Sequence, residues 1–287
     1  MNYKFSGHET FNCKPIWLKK GYDYANTNKL FNDKNAVIDL GVGKNMVASI
    51  KFWLRAFGFY DLHSNKLQEL PRIIFDDNGL DPYLENEGTL YLLHYLLIKN
   101  VKIASIYFLI FKKFSKEKTE FTIENLKVFI RRECIKEEVD FSEKTLGNDV
   151  KVFLRNYIPS EEKKNSFEDN YNGLFYDLRY INKFKSPSNE LRYKFNINDG
   201  RYLPEAIFFY VILDVFEDVT SINLESIREK VSSNFLMERH GTFLMIQRLQ
   251  IKYPEYLIFK DDGGRQELQI KKIIDKTELL KNYYGEL

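Results

Sequence analysis

From Lys44 to Phe57 the apolar residues recur at the spacing of one helical face. Met46, Ile50, Trp53, Leu54 and Phe57 fall on one side of a 3.6-residue repeat, and Lys44, Ala48, Lys51 and Arg55 fall on the other. The pattern returns in register and without a gap at residues 144–157. There Leu146, Val150, Phe153, Leu154 and Tyr157 form the apolar side, while Lys144, Asn148, Lys151 and Arg155 face outward. Lysine, lysine, leucine and arginine at 44, 51, 54 and 55 recur at 144, 151, 154 and 155. The repeat predicts two equivalent helices, each with a core face and a cationic face.

The flanking patterns predict similar surroundings for both helices. A short helix over residues 35–40, a turn at Gly41-Val-Gly43, the longer helix, and strand-like pieces at 59–62 and 72–75 read as helix, turn, helix and wing. In the middle of the chain, helices are expected at 89–100, 102–114 and 122–136, with Thr122 and Ser142 as N-caps for the third and for the second basic helix. A polar link over 160–173 leads to strands at 180–185 and 191–197, joined through Ser186-Pro-Ser-Asn189 and carrying Lys183, Lys185, Arg192 and Lys194. The last third predicts a helix from Pro204 to Glu217, a strand at 220–223, and helices at 224–232 and 237–251. A hairpin follows, turning at Asp261-Asp-Gly-Gly264. The expected fold is mainly α with small β-hairpins, built as tandem winged-helix units at residues 1–86, 87–200 and 201–287.

Composition narrows the partners. Net charge is +2 over 287 residues, distributed as +3 over 1–80, +1 over 81–200 and −2 over 201–287. Any DNA contact must therefore come from local basic faces rather than bulk charge. Cations for phosphate and short polar groups for base edges make Lys44, Asn45, Lys51, Arg55, Lys144, Asn148, Lys151 and Arg155 the candidate contacts. The alternative is an ordinary solvated helix surface. The last unit, with net negative charge and with Arg239, Gln247, Arg248 and Gln250 on its third helix, is expected to serve protein contacts more than DNA. Cys13 and Cys134 lie far apart without CxxC or Cys/His grouping, which indicates neither a disulfide framework nor structural zinc. The start has no signal-peptide pattern, and the apolar stretch 89–111 is broken by Lys99-Asn-Val-Lys102, so a cytoplasmic protein with no membrane partner is expected.

Three segments are dense in chemistry. Leu40-Gly-Val-Gly-Lys-Asn45 resembles a phosphate loop but has Ile38 and Asn45 where that loop needs glycine and Ser or Thr. Phe5-Ser-Gly-His-Glu-Thr-Phe11 places His8 and Glu9 to share a proton or hold a metal, or else is a segment docked by its two phenylalanines. The carboxylate-rich run 76–87 lacks the glycine of a calcium loop and reads more simply as a solvated loop capping the next helix. His94, inside Tyr91-Leu-Leu-His-Tyr-Leu-Leu97, reads as a hydrogen-bonded core histidine.

Phe5-Ser-Gly-His-Glu-Thr-Phe11, Trp17-Leu-Lys-Lys-Gly21, Leu40-Gly-Val-Gly-Lys-Asn-Met-Val47, Trp53-Leu-Arg-Ala-Phe-Gly58 and Asp81-Pro-Tyr-Leu-Glu85 running into Gly88-Thr-Leu-Tyr-Leu-Leu-His94 resemble a bacterial family catalogued as a domain of unknown function. Its members look like the nickase subunit of Ssp-type DNA phosphorothioation systems, which mark DNA for antiphage defence. The resemblance implies DNA as a partner, together with a cysteine desulfurase, an ATP pyrophosphatase-like sulfurtransferase and an ATPase. For a metal-dependent nicking endonuclease using Mg2+ or Mn2+, the shared motifs point to His8, Glu9, Asp81, Glu85 and His94 as catalytic candidates, with Lys44 and Arg55 as phosphate clamps. The alternative is a noncatalytic adaptor that binds DNA or recruits protein.

Overall fold

A computed structural model describes residues 3–61, 63–159 and 172–286. The chain divides into two compact units, Met1–Asn196 and Ile197–Leu287, and is mainly α-helical with small antiparallel sheets.

In the first unit α1 (Pro15–Asn26) starts on proline, whose missing N–H matters least in a first turn, and buries Trp17, Leu18 and Tyr22. Helix α2 (Ala36–Leu40) ends at Gly41, which adopts the left-handed φ of 62° that closes a helix without Cβ strain. Helix α3 (Lys44–Ala56) follows, then the two-residue strands β1 (Tyr60–Asp61) and β2 (Lys66–Leu67), paired antiparallel, and α4 (Glu69–Phe75). Helix α5 (Glu87–Lys99) is capped by Asn86. Helix α6 (Ser105–Phe108) passes through a π-helical turn, Leu109–Phe114, into α7 (Ser115–Glu117). Strand β3 (Glu120–Phe121) precedes α8 (Ile123–Lys136), which opens on a reciprocal capping box between Thr122 and Asn125. Ser142 caps α9 (Glu143–Tyr157), and β4 (Ile181–Lys185) and β5 (Leu191–Phe195) complete the unit. The sheet order is β3-β5-β4, with Lys183 opposite Tyr193.

The second unit repeats that order. Helix α10 (Glu205–Val215), almost wholly buried, leads to β6 (Ser221–Asn223), α11 (Leu224–Lys230) and α12 (Arg239–Lys252). The hairpin β7 (Leu257–Asp262) and β8 (Arg265–Ile270) and then α13 (Lys276–Gly285) follow. The sheet order is β6-β8-β7. Gly263 and Gly264, at φ 58° and 85°, form the two-residue turn whose twist matches the strands. In both units a helix, a strand, two helices and two strands follow one another, and the last strand lies in the middle of the sheet.

Two expectations change. Residues 72–75, read as a strand, lie in α4, because Pro71, Ile74 and Phe75 are buried at helical spacing and the proline sits in the first turn, where it breaks no hydrogen bond. The second strand of that pair is instead Lys66–Leu67. Leu62 and residues 160–171 of the polar link lie outside the described residues. Both cysteines are buried free thiols, and among the described residues no helix is long and apolar enough to cross a membrane.

Candidate nucleic-acid interface

Helices α3 and α9 bury the same register. Ile50 and Val150, Trp53 and Phe153, Leu54 and Leu154, and Phe57 and Tyr157 all face inward. Outward, Lys44, Lys144 and Lys151 are exposed, and among the described residues none of them meets a carboxylate. Lys51 is half-buried and donates to Asn32 Oδ1 at 3.2 Å. Burial lowers its pKa and the neighbouring Arg55 lowers it further, while burial also lowers that of Arg55. Two other cations of this unit have counter-ions: Arg131 bonds Glu143 and Glu124, and Arg132 bonds Glu117. Two partly desolvated cations side by side, with no carboxylate against them among the described residues, are electrostatically incomplete, and an anionic oxygen would relieve both. Arg55 also lines a recess of about 320 Å³ with Tyr60, Gln68 and Asn100.

On α9, residues 5–11 cover part of the corresponding face. Asp149, 3% exposed, accepts Ser6 N on both carboxylate oxygens, at 3.1 and 2.9 Å, and its Oδ1 lies 2.6 Å from His8 Nε2. Thr10 N donates to His8 Nδ1 at 3.1 Å, so Nδ1 is the acceptor and Nε2 the donor. Both ring nitrogens are thereby engaged. The imidazole stacks on Trp53 at 6.5 Å and meets Phe52 edge-on at 5.7 Å, so it joins α3 to α9. Arg155 donates to Thr10 O and thus holds the loop as well. Ser6, Gly7, Glu9 and Thr10 all have positive φ, and at Gly7, φ 103°, a Cβ would stand 2.7 Å from the Phe52 ring, so only glycine fits. Glu9 is exposed.

The other candidates lie in different surroundings. Asp81 Oδ1 accepts Glu85 N at 2.8 Å, and Oδ2 accepts Asn86 N at 3.1 Å and Thr89 Oγ1 at 2.5 Å, which secures the entry to α5. Glu85 itself is exposed. His94 is fully buried, with Nδ1 3.0 Å from Tyr157 Oη and its ring 4.6 Å from Phe111. Asp81 and Glu85 are adjacent through the main chain, His8 belongs to the α9 clasp, and His94 belongs to the aromatic core. Among the described residues no three His, Cys, Asp or Glu side chains are placed to hold a metal ion. With both Asp81 oxygens and both His8 nitrogens engaged, and with the candidates in separate surroundings, these described residues do not form a ligand set that fits Mg2+ or Mn2+.

Sequence patterning missed Asp149 and Asn156. Asn156 accepts Cys13 N at 3.0 Å and donates to Tyr107 Oη at 2.6 Å. The available signal was a carboxylate and an amide on the inward side of an amphipathic helix, where each requires a partner.

These features define an α-rich protein with small three-stranded sheets and a duplicated cationic helix. The chain belongs to the family described as protein of unknown function (DUF4007), which matches residues 5–284, and the resemblance carried by the Phe5–Phe11 motif therefore holds. No curated protein matches it. Its fold is similar to a magnesium ion-bound SspB crystal structure, with a TM-score of 0.83 and 24% identity over 99% of this chain and 87% of that one. A second SspB crystal structure gives 0.80 and 23% over the same shares.

Proposed function

We propose that the chain is the DNA-binding subunit of an Ssp-type, phosphorothioation-linked antiphage defence system. It holds duplex DNA on the basic helices of the first of its tandem winged-helix units and presents it to the sulfur-transfer enzymes. The observation that carries this reading is the pair of equivalent helices whose outward lysines, Lys44, Lys51, Lys144 and Lys151, meet no carboxylate among the described residues. The order helix, strand, helix, helix, strand, strand with the last strand central supports a winged-helix reading, in which α9 of the first unit and α12 of the second would be the helices that face a groove. Arg248 of α12 pairs with Glu205 at 2.8 Å and Gln250 accepts Phe259 N, which supports protein contacts for the second unit. The fold shared with SspB supports the system assigned. The engagement of His8 and Asp81 favours an adaptor over a nickase acting through those residues.

Duplex affinity measured by fluorescence anisotropy across a salt series tests the reading. Replacing Lys44, Lys51, Lys144 and Lys151 by alanine is expected to weaken binding and to flatten the slope of log K against log salt by about 0.9 for each phosphate that the variant no longer neutralises. Unchanged affinity and slope would favour a protein scaffold instead. Conversion of supercoiled plasmid to open circle in Mg2+ or Mn2+, abolished by Glu9→Gln with Asp81→Asn, would return the assignment to a nickase.

A further inference from the structure

A cleft of about 690 Å³ opens between the C-terminal end of α9 and strand β4. Its walls include Tyr157, Tyr176 and Phe184, with the cations Arg179, Lys183 and Lys185 and the Asn182 amide among its lining groups. No carboxylate is among the described lining residues, and neither Arg179 nor Lys185 has a carboxylate partner among the described residues. The neighbouring cations of β5 differ in this respect, since Arg192 pairs with Glu190 at 2.8 Å and Lys194 with Glu120 at 3.1 Å. Arg179 and Lys185 thus bring positive charge without a matching carboxylate to the cleft, among the described residues.

A surface that only tracked a phosphate backbone would need cations but not concave aromatic walls. Rings beside cations suit nucleotides whose base faces are uncovered, because stacking needs a face that a duplex keeps hidden. The volume lies within the range of small-ligand sites, and the cleft is open at its surface, as a passing strand requires. Lys144 and Tyr157 lie on the same 15-residue helix, about 20 Å apart at 1.5 Å per residue, so duplex held near one end would bring an opened strand within reach of the other. We propose that this cleft binds unpaired nucleotides of a DNA strand, a step that rests on the DNA-binding reading above and names the form of DNA the site takes.

The test compares the full chain's affinity for a fluorescent single-stranded oligonucleotide and for a duplex of the same sequence. Tyr176→Ala and Phe184→Ala are each expected to weaken single-strand binding about 5-fold or more, the stacking contribution of one base, and to leave duplex binding within about 2-fold. Arg179→Asn with Lys185→Ala provides a second variant in case a ring substitution disturbs the fold. Both side chains are exposed, and asparagine suits the left-handed backbone at 179, φ 52°. It too should weaken the single strand selectively. Duplex binding with single-strand affinity unmoved by both sets of variants would overturn the inference while the DNA-binding reading stood. Failure to bind either form of DNA would overturn both.

Discussion

Asp149→Ala should destabilise the first unit by about 3 kcal/mol. The carboxylate is 3% exposed and receives Ser6 N and His8 Nε2, the latter at 2.6 Å. Hydrogen bonds to a charged group contribute about 1.5–3 kcal/mol each, and a buried donor left without a partner adds its desolvation cost. Two donors set an upper figure of about 6 kcal/mol, roughly halved because Ser6 is exposed and its N–H can rehydrate. His8→Ala should cost a similar amount, since it removes the same bond and uncovers Phe52 and Trp53. Glu9→Ala, at an exposed neighbour, should stay within about 0.5 kcal/mol. Urea unfolding followed by tryptophan fluorescence isolates the relevant unit, because Trp17 and Trp53 are the chain's two tryptophans and both are buried within it. With a slope near 3 kcal/mol per molar, the midpoint should fall by about 1 M. A destabilisation under about 1 kcal/mol for Asp149→Ala would refute the view that residues 5–11 are clasped to α9 through this carboxylate.

Alkaline pH should weaken the fold. Burial pushes the Cys134 thiol up to about 11 and holds Cys13, Tyr107, Tyr157 and Tyr180 well above their ordinary values. Each keeps its proton in the fold after the unfolded chain has released it. Stability is therefore full below about pH 8.5 and falls as pH rises toward the folded values, by up to about 1.4 kcal/mol per pH unit for each fully buried phenol; a urea midpoint unchanged between pH 8 and 10.5 would contradict this. Gly173→Ala would place a Cβ 2.0 Å from Arg155 O and should lower the thermal midpoint measurably, by an amount that reflects about 1–3 kcal/mol of overpacking; an unshifted melting curve would show that the backbone yields freely there. Asp81→Ala should cost about 2–3 kcal/mol by freeing three donors at the start of α5, and circular dichroism during thermal unfolding would disagree if the variant melted with the wild type.

Where neighbouring residues decide the structure, the sequence can be read directly. The apolar register of α3 and α9, the caps at Thr122 and Ser142, and the glycine turn between β7 and β8 depend on residues a few positions apart. Helix α4 reads as a strand because Ile73, Ile74 and Phe75 have strand propensity, and only the packing of Pro71, Ile74 and Phe75 selects the helix. The roles of His8 and Asp149 are not local, since each is defined by a residue 141 positions away. His94 is legible as a core residue from its apolar neighbours, though not its partner Tyr157, 63 residues on. The unmatched charge of Arg179 and Lys185 emerges only when Arg192 and Lys194 are seen to pair and these two, among the described residues, are not.

The bond between His8 and Asp149 sets a timetable for synthesis. At about 5–20 residues per second, α9 leaves the ribosome roughly 7–28 s after residues 6–10 do. During that interval the loop has no carboxylate to hold it, and Phe52 and Trp53 have no imidazole over them. A nascent chain stalled before residue 149 would thus display aromatic rings that the finished protein conceals.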